Sequence, residues 1–148
     1  MAAERAPDVE QLIRDMVLAY QQGDLEFISR HTSNDPAAIS VGSDAGEIAR
    51  GHDEIVGLMQ GDIEQRTPES PRLSVDEINA YREGDIGWAT LFGAYATDSG
   101  AIPVRGSGVF RREDGDWKMV AWVFSFAVPN EALESGSPVL ERLTTMTV

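Results

Sequence analysis

From Arg72 to Ala127 the chain alternates between long extended stretches and very short turn strings. No other feature restricts the fold as much. Four strands are predicted, at Arg72–Arg82, Ile86–Thr97, Ile102–Arg112 and Trp117–Ala127. GluGlyAsp, AspSerGly and GluAspGlyAsp separate them. Connections this short make hairpins, because a parallel return needs a crossover of a dozen or more residues. The second half of the chain is therefore an antiparallel meander.

The first half reads as helix. Val9, Leu12, Ile13, Met16, Val17 and Tyr20 recur at the spacing of one helical face, with Pro7 at the entrance, Asp8 as a candidate N-cap and Gly23 as the stop. Asp24 can cap a short second helix from Leu25 to His31. SerAsnAspPro at 33–36 ends it. Short extended pieces follow at 38–41 and 47–50, around a Gly/Ser/Asp turn. A third helix from Gly51 to Glu64 buries Ile55, Leu58, Met59 and Ile63. Helices first and sheet last indicate an α+β domain. Residues 1–7 are expected to fray, and the tail after Val128 to contain a short helix.

Composition narrows the function. The 148 residues suit one domain with its own core. Without cysteine there are no disulfides, thiolate metal sites or cysteine nucleophiles. His31 and His52 alone are too few for most zinc or haem centres, so no metal or cofactor is expected. A net charge of −13 repels phosphate backbones and argues against nucleic acid. The only lysine is Lys118, so the basic residues are almost all arginines, as codon bias or a salt-rich cytoplasm would produce. No apolar run approaches a membrane span. The N-terminal string MAAERAPDVE lacks the pattern of a signal peptide, and a cytoplasmic location is expected.

The last hairpin can be placed in register from its turn. Centring the turn on Asp114-Gly115 pairs Arg111 with Lys118, Val109 with Val120, Ser107 with Trp122 and Arg105 with Phe124. That puts Arg105 and Ser107 on one face with Trp122 and Phe124. Gly106, Gly108, Ala121 and Val123 fall on the other. Both faces are largely apolar, so both need a cover. The helices are expected to cover the first face and a second copy of the chain the other, through Gly106, Gly108 and Ala121. On the helix-covered face Arg105 would be the cationic anchor of a pocket for an anionic or carbonyl-bearing ligand, and a small apolar or anionic molecule is the expected partner. The plainer alternative is a structural ion pair at Arg105.

Several strings in this order resemble the SnoaL-like branch of the nuclear transport factor 2-like superfamily. They are GlyAspLeuGlu at 23–26, IleSerValGlySerAsp at 39–44, Glu47 with GlyHisAspGluIle at 51–55, ArgGlySerGlyValPheArgArg from Arg105, and AspGlyAspTrpLysMetValAlaTrpValPheSerPheAlaValProAsnGlu at 114–131. The likeness spans residues 8–131 and leaves 132–148 as a tail. It implies a cystatin-like cone, with N-terminal helices packed on a curled antiparallel sheet. It also implies a pocket at the open end and commonly a homodimer through the sheet. Steroid isomerases of this fold place a tyrosine and two acids where this chain has Met16, Ser40 and Ser107, so that chemistry is disfavoured. The His-x-His-type pair of many relatives is replaced by Ala121 and Val123.

The residues expected to contact a ligand are Met16, Tyr20, Arg105, Ser107, Trp122 and Phe124, with Trp88 and Phe92 on the neighbouring strand. Tyr81 and Tyr95 are further hydrogen-bonding candidates. For catalysis the sequence offers His31 with Asp35 as a general base, although a histidine near a helix C-terminus is favourable there anyway. Three functions stay open. One is a dimer that binds a small organic ligand without assigned catalysis. Another is a cofactor-independent cyclase, isomerase or hydrolase of a polyketide-like or terpenoid substrate. The third is a structural dimerisation domain with a filled core.

Overall fold

Proline has no N–H to lose in the first turn of a helix, and Pro7 opens the first one. In the computed structural model, which describes residues 2–145, this helix α1 runs Pro7–Gln22. Asp8 thus lies inside the helix, and Ala6 occupies the cap without a side-chain bond. Gly23 closes α1 at φ 76°, a left-handed conformation that glycine adopts without steric penalty. Asp24 caps α2 (Leu25–Arg30) by accepting the Phe27 amide at 3.1 Å. Two short strands follow, β2 (Ile39–Val41) and β3 (Ile48–Arg50), then α3 (His52–Gln65).

The meander comprises β4 (Arg72–Glu83), β5 (Ile86–Thr97), β6 (Gly100–Glu113) and β7 (Asp116–Phe126). Asp114 and Gly115 both have positive φ, as a tight hairpin of this kind requires. Residues 4–7 are held in strand and helix rather than frayed, and Met1 lies outside the described residues. Glu4–Arg5 form β1 on the outer edge of β4, and Arg82 bonds Glu4 at 2.9 Å. The sheet order is β1-β4-β5-β6-β7-β2-β3. It is mixed rather than wholly antiparallel, because β2 joins β7 in parallel. The tail contains a 3-10 turn, Asn130–Leu133, and α4, Pro138–Thr145, and neither buries a residue.

The expected register holds only near the turn. Arg111 faces Lys118, but Val120 is an extra residue on β7: Phe110 pairs with Met119 and Val109 with Ala121. Beyond it Ser107 faces Val123, and Arg105 faces Ser125. A bulge bends its strand, and a one-residue slip turns over every side chain that follows. Val120 also marks where the other edge of β7 changes partner. Before it, Met119 bonds His31 and Ser33 through the backbone; after it, β2 takes over at Ala121.

The corrected register reassigns the faces. The concave face carries Leu91, Gly106, Gly108, Phe110, Met119, Trp122 and Phe124; the convex face carries Trp88, Phe92, Arg105, Ser107, Val109 and Val123. Gly106 and Gly108 therefore do not form a flat outer surface. The Trp122 indole lies across them. A Cβ on Gly106 would stand 2.5 Å from Trp122 Cζ2, and one on Gly108 2.5 Å from Cε3. The core lies between this concave face and the helices, with Val9, Ile13, Ile55, Leu91 and Phe110 at most 3 % exposed.

Polar contacts close the narrow end. The Trp117 indole N–H donates to Asp8 Oδ2 at 2.7 Å, and Arg112 approaches the same oxygen at 3.4 Å. Ser33 donates to Glu113 at 2.7 Å, and Arg111 joins Glu113 to Asp35. These bonds tie the loop after α2 to the last hairpin. No helix among the described residues is long and apolar enough to cross a membrane.

Candidate functional site

Helix α1, helix α3 and the concave sheet enclose a cavity of about 490 Å³. Its floor is apolar and buried: Ile55, Leu91, Phe110 and Met119. Ile102 and Phe126 line the opposite end and are 42 % and 43 % exposed, so the cavity opens to solvent there. The aromatic wall is continuous. Phe110 meets Trp122 edge-on at 6.3 Å between ring centres, and Tyr95 meets Phe124 at 5.9 Å. Trp122 reaches the cavity only because Gly106 and Gly108 leave room for its indole against β6.

One side of the cavity is polar, formed by Tyr20 from α1, Asp62 from α3, Arg66 just beyond α3 and Glu47 before β3. The Arg66 guanidinium lies 5.2 Å from the Tyr20 ring centre and donates to the Pro71 carbonyl at 3.1 Å. Burial first, and then the Glu47 charge, raise the Asp62 carboxyl above the ordinary range; Arg66 and the Tyr20 hydroxyl act in the opposite direction. Tyr20 is also raised, by burial and the neighbouring Asp62 charge, as is Tyr95, chiefly by burial. A few titratable groups shifted by their surroundings, gathered on one side of an apolar cavity, can orient a ligand or exchange a proton with it.

Met16, Tyr20, Trp122 and Phe124 line this cavity, as does Tyr95. Arg105, Ser107, Trp88 and Phe92 do not. The Val120 bulge parts Arg105 and Ser107 from Trp122 and Phe124, and all four lie on the convex face. On that face Tyr81 stacks on Trp88 and carries the Arg5 guanidinium 5.0 Å from its ring centre. Ser107, which the resemblance sets at an acid position of the steroid isomerases, pairs with Thr90 and Val123 on the convex face.

His31 and Asp35 are not brought together at the cavity. The His31 Nδ1–H donates to the Phe27 carbonyl at 3.0 Å, and its ring borders a separate surface depression beside Asp8 and Trp117. Asp35 pairs with Arg111 at 3.0 Å, and the Ala37 amide, then Arg111, hold its carboxyl below the ordinary range. His52 ties α3 to α2 through the Ser29 carbonyl at 2.9 Å.

The sequence reading missed Asp62, Arg66 and Glu47 as site residues. A signal for Asp62 was present. It follows Ile55, Leu58 and Met59 at seven, four and three residues, on the buried stripe of α3. A carboxylate at such a position needs a reason to be there.

The same architecture recurs among solved structures. A nuclear transport factor 2-like protein of unknown function from Pseudomonas putida KT2440 superposes with a TM-score of 0.75 at 13 % identity, over 91 % of this chain and 98 % of its own. A putative dehydratase of the same superfamily from Streptomyces avermitilis gives 0.70 at 18 %, over 83 % and 96 %. An uncharacterised cystatin-like protein from Caulobacter vibrioides gives 0.68 at 20 %, over 91 % and 96 %. At such identities the likeness speaks for the fold alone. None of the curated protein sequences matches the chain. The sequence pattern of the SnoaL-like domain matches residues 9–129, from the first turn of α1 to just past β7. Helices, meander and cavity all fall within that match, and the chain belongs to the SnoaL-like domain family.

Proposed function

We propose that this protein binds a small, mostly apolar organic molecule in its cone, without assigned catalysis, and does so as a homodimer. The cavity carries the proposal. Its volume lies within the roughly 300–1,000 Å³ typical of ligand pockets, and its wall is apolar with a few polar groups on one side. A dimerisation domain with a filled core would not enclose that space. The general base suggested for an enzyme does not reach it, since His31 and Asp35 are engaged elsewhere.

The neutral dye N-phenyl-1-naphthylamine tests the cavity. One saturable site per chain is expected. Met16→Trp fills the wall from α1 and is expected to weaken binding by about tenfold or more while the melting temperature holds or rises. Absence of saturable binding, or equal binding by the variant, would overturn the proposal.

The dimer is assigned to the convex face. Trp88 is 38 % exposed, Phe92 41 % and Val123 47 %, and with Val109 they form one apolar patch across three strands. Light scattering at micromolar concentration is expected to give twice the chain mass, and Trp88→Asp the single mass. A wild-type monomer would reject the assignment.

A further inference from the structure

The cavity's charges do not balance. Three residues that line it carry formal charge, the carboxylates Glu47 and Asp62 and the guanidinium Arg66. Arg66 is already engaged by the Tyr20 ring and the Pro71 carbonyl. Among the described residues no basic side chain stands at ion-pair distance from either carboxylate: Asp62 has the Tyr20 hydroxyl and the more distant Arg66 charge, and Glu47 Oε2 accepts the Asp44 amide at 3.0 Å. The rings of Tyr95, Trp122, Phe124 and Phe126 line the same cavity. Negative charge among aromatic surfaces is the environment that recognises an organic cation, because the ring faces are themselves negative.

We infer that the ligand of the cone is a hydrophobic amine, its ammonium group held beside Asp62 and Glu47 and its hydrocarbon body against the aromatic wall. The inference rests on the ligand-binding reading above and names the ligand's chemical class. A neutral ligand would leave the carboxylate excess desolvated, and an anionic one would add to it. The anion anchor suggested at Arg105 is on the other side of the sheet. The chain's −13 charge also steers cations toward the protein.

The inference also predicts a direction with pH. The groups that face Asp62 are Glu47, Tyr20, Tyr95 and Arg66. Both tyrosines lie above their ordinary range and stay neutral at physiological pH. Asp62 is the carboxyl whose titration sets the direction below neutrality. Because Asp62 ionises at higher pH than an ordinary aspartate, amine affinity rises as the pH increases through its titration.

Calorimetry with three ligands that share one apolar body provides the test: 2-(2-naphthyl)ethylamine, 2-(2-naphthyl)ethanol and 3-(2-naphthyl)propanoate. At pH 7 the amine is expected to bind about tenfold more tightly than the alcohol, with the propanoate weakest. The amine-to-alcohol ratio is expected to shrink at pH 4.5. It should fall toward one in Asp62→Asn and part of the way in Glu47→Gln. If the alcohol or propanoate binds the wild type as well as the amine does, the inference fails and the cavity reading stands. If none of the three binds and the neutral dye also fails, both fall. If Asp62→Asn does not fold, the wild-type series and the Glu47→Gln ratio decide; a ratio unchanged in every folded variant would overturn the assignment to these carboxylates.

Discussion

Gly108→Ala is expected to lower the melting temperature by roughly 5 °C or more. A Cβ there would stand 2.5 Å from Trp122 Cε3 and 2.6 Å from the Ala121 carbonyl oxygen. The second neighbour is backbone in the middle of a sheet and cannot move cheaply. Overpacking of this kind costs about 1–3 kcal/mol, and for a domain of this size each kcal/mol is worth about 2–4 °C. The opposing effect is small, because replacing glycine by alanine where the backbone allows it gains about 0.4–1 kcal/mol. Gly106→Ala gives the contrast. The nearest atoms to its added Cβ all belong to the Trp122 ring, which can swing toward the cavity. That variant is expected to keep more of its stability and to bind N-phenyl-1-naphthylamine more weakly. Thermal melts of the two proteins side by side are the measurement. If Gly108→Ala melts with the wild type, Trp122 is not held as described.

Phe110→Ala is expected to cost about 3–5 kcal/mol, the usual range for deleting a buried aromatic side chain. Phe110 is 2 % exposed and forms part of the cavity floor beneath Trp122. Total stability of a domain like this is only about 5–15 kcal/mol, so the loss is a large share of it. Phe110→Leu keeps most of the volume and is expected to lose far less, under about 2 kcal/mol. Urea unfolding checks both. A loss below about 1 kcal/mol for the alanine variant would mean that the floor closes over the vacancy. The cavity would then be deformable rather than fixed.

Much of the architecture was legible because it is locally encoded. The predicted β5 agrees with the observed Ile86–Thr97, and the other three long strands agree to within one or two residues. Gly23 and Asp24 mark the α1–α2 boundary by their own conformation and capping. What escaped depended on distant partners. A hairpin register counted from Asp114-Gly115 has no way to anticipate Val120, because the change of partner there comes from His31, Ser33 and β2 on the far edge of the strand. That one residue separated the ligand candidates into two sets, with Trp122 and Phe124 on the cavity side and Arg105 and Ser107 on the other. Asp62 carried a local signal in its place on the α3 stripe. Arg66 carried none, because its position over Tyr20 exists only once α1 and α3 have packed together. Likewise Glu4 and Arg5 look unstructured until β4 presents an edge to them.

The three tryptophans occupy three different environments. Trp122 forms part of the cavity wall, Trp88 stands half-exposed on the convex face, and Trp117 is 7 % exposed at the narrow end, bonded to Asp8. The chain thus contains its own set of optical reporters. Replacing two of them with phenylalanine in turn leaves a single emitter sensitive to ligand entry, to association or to opening of the narrow end. The order of those events can then be timed without attaching a dye.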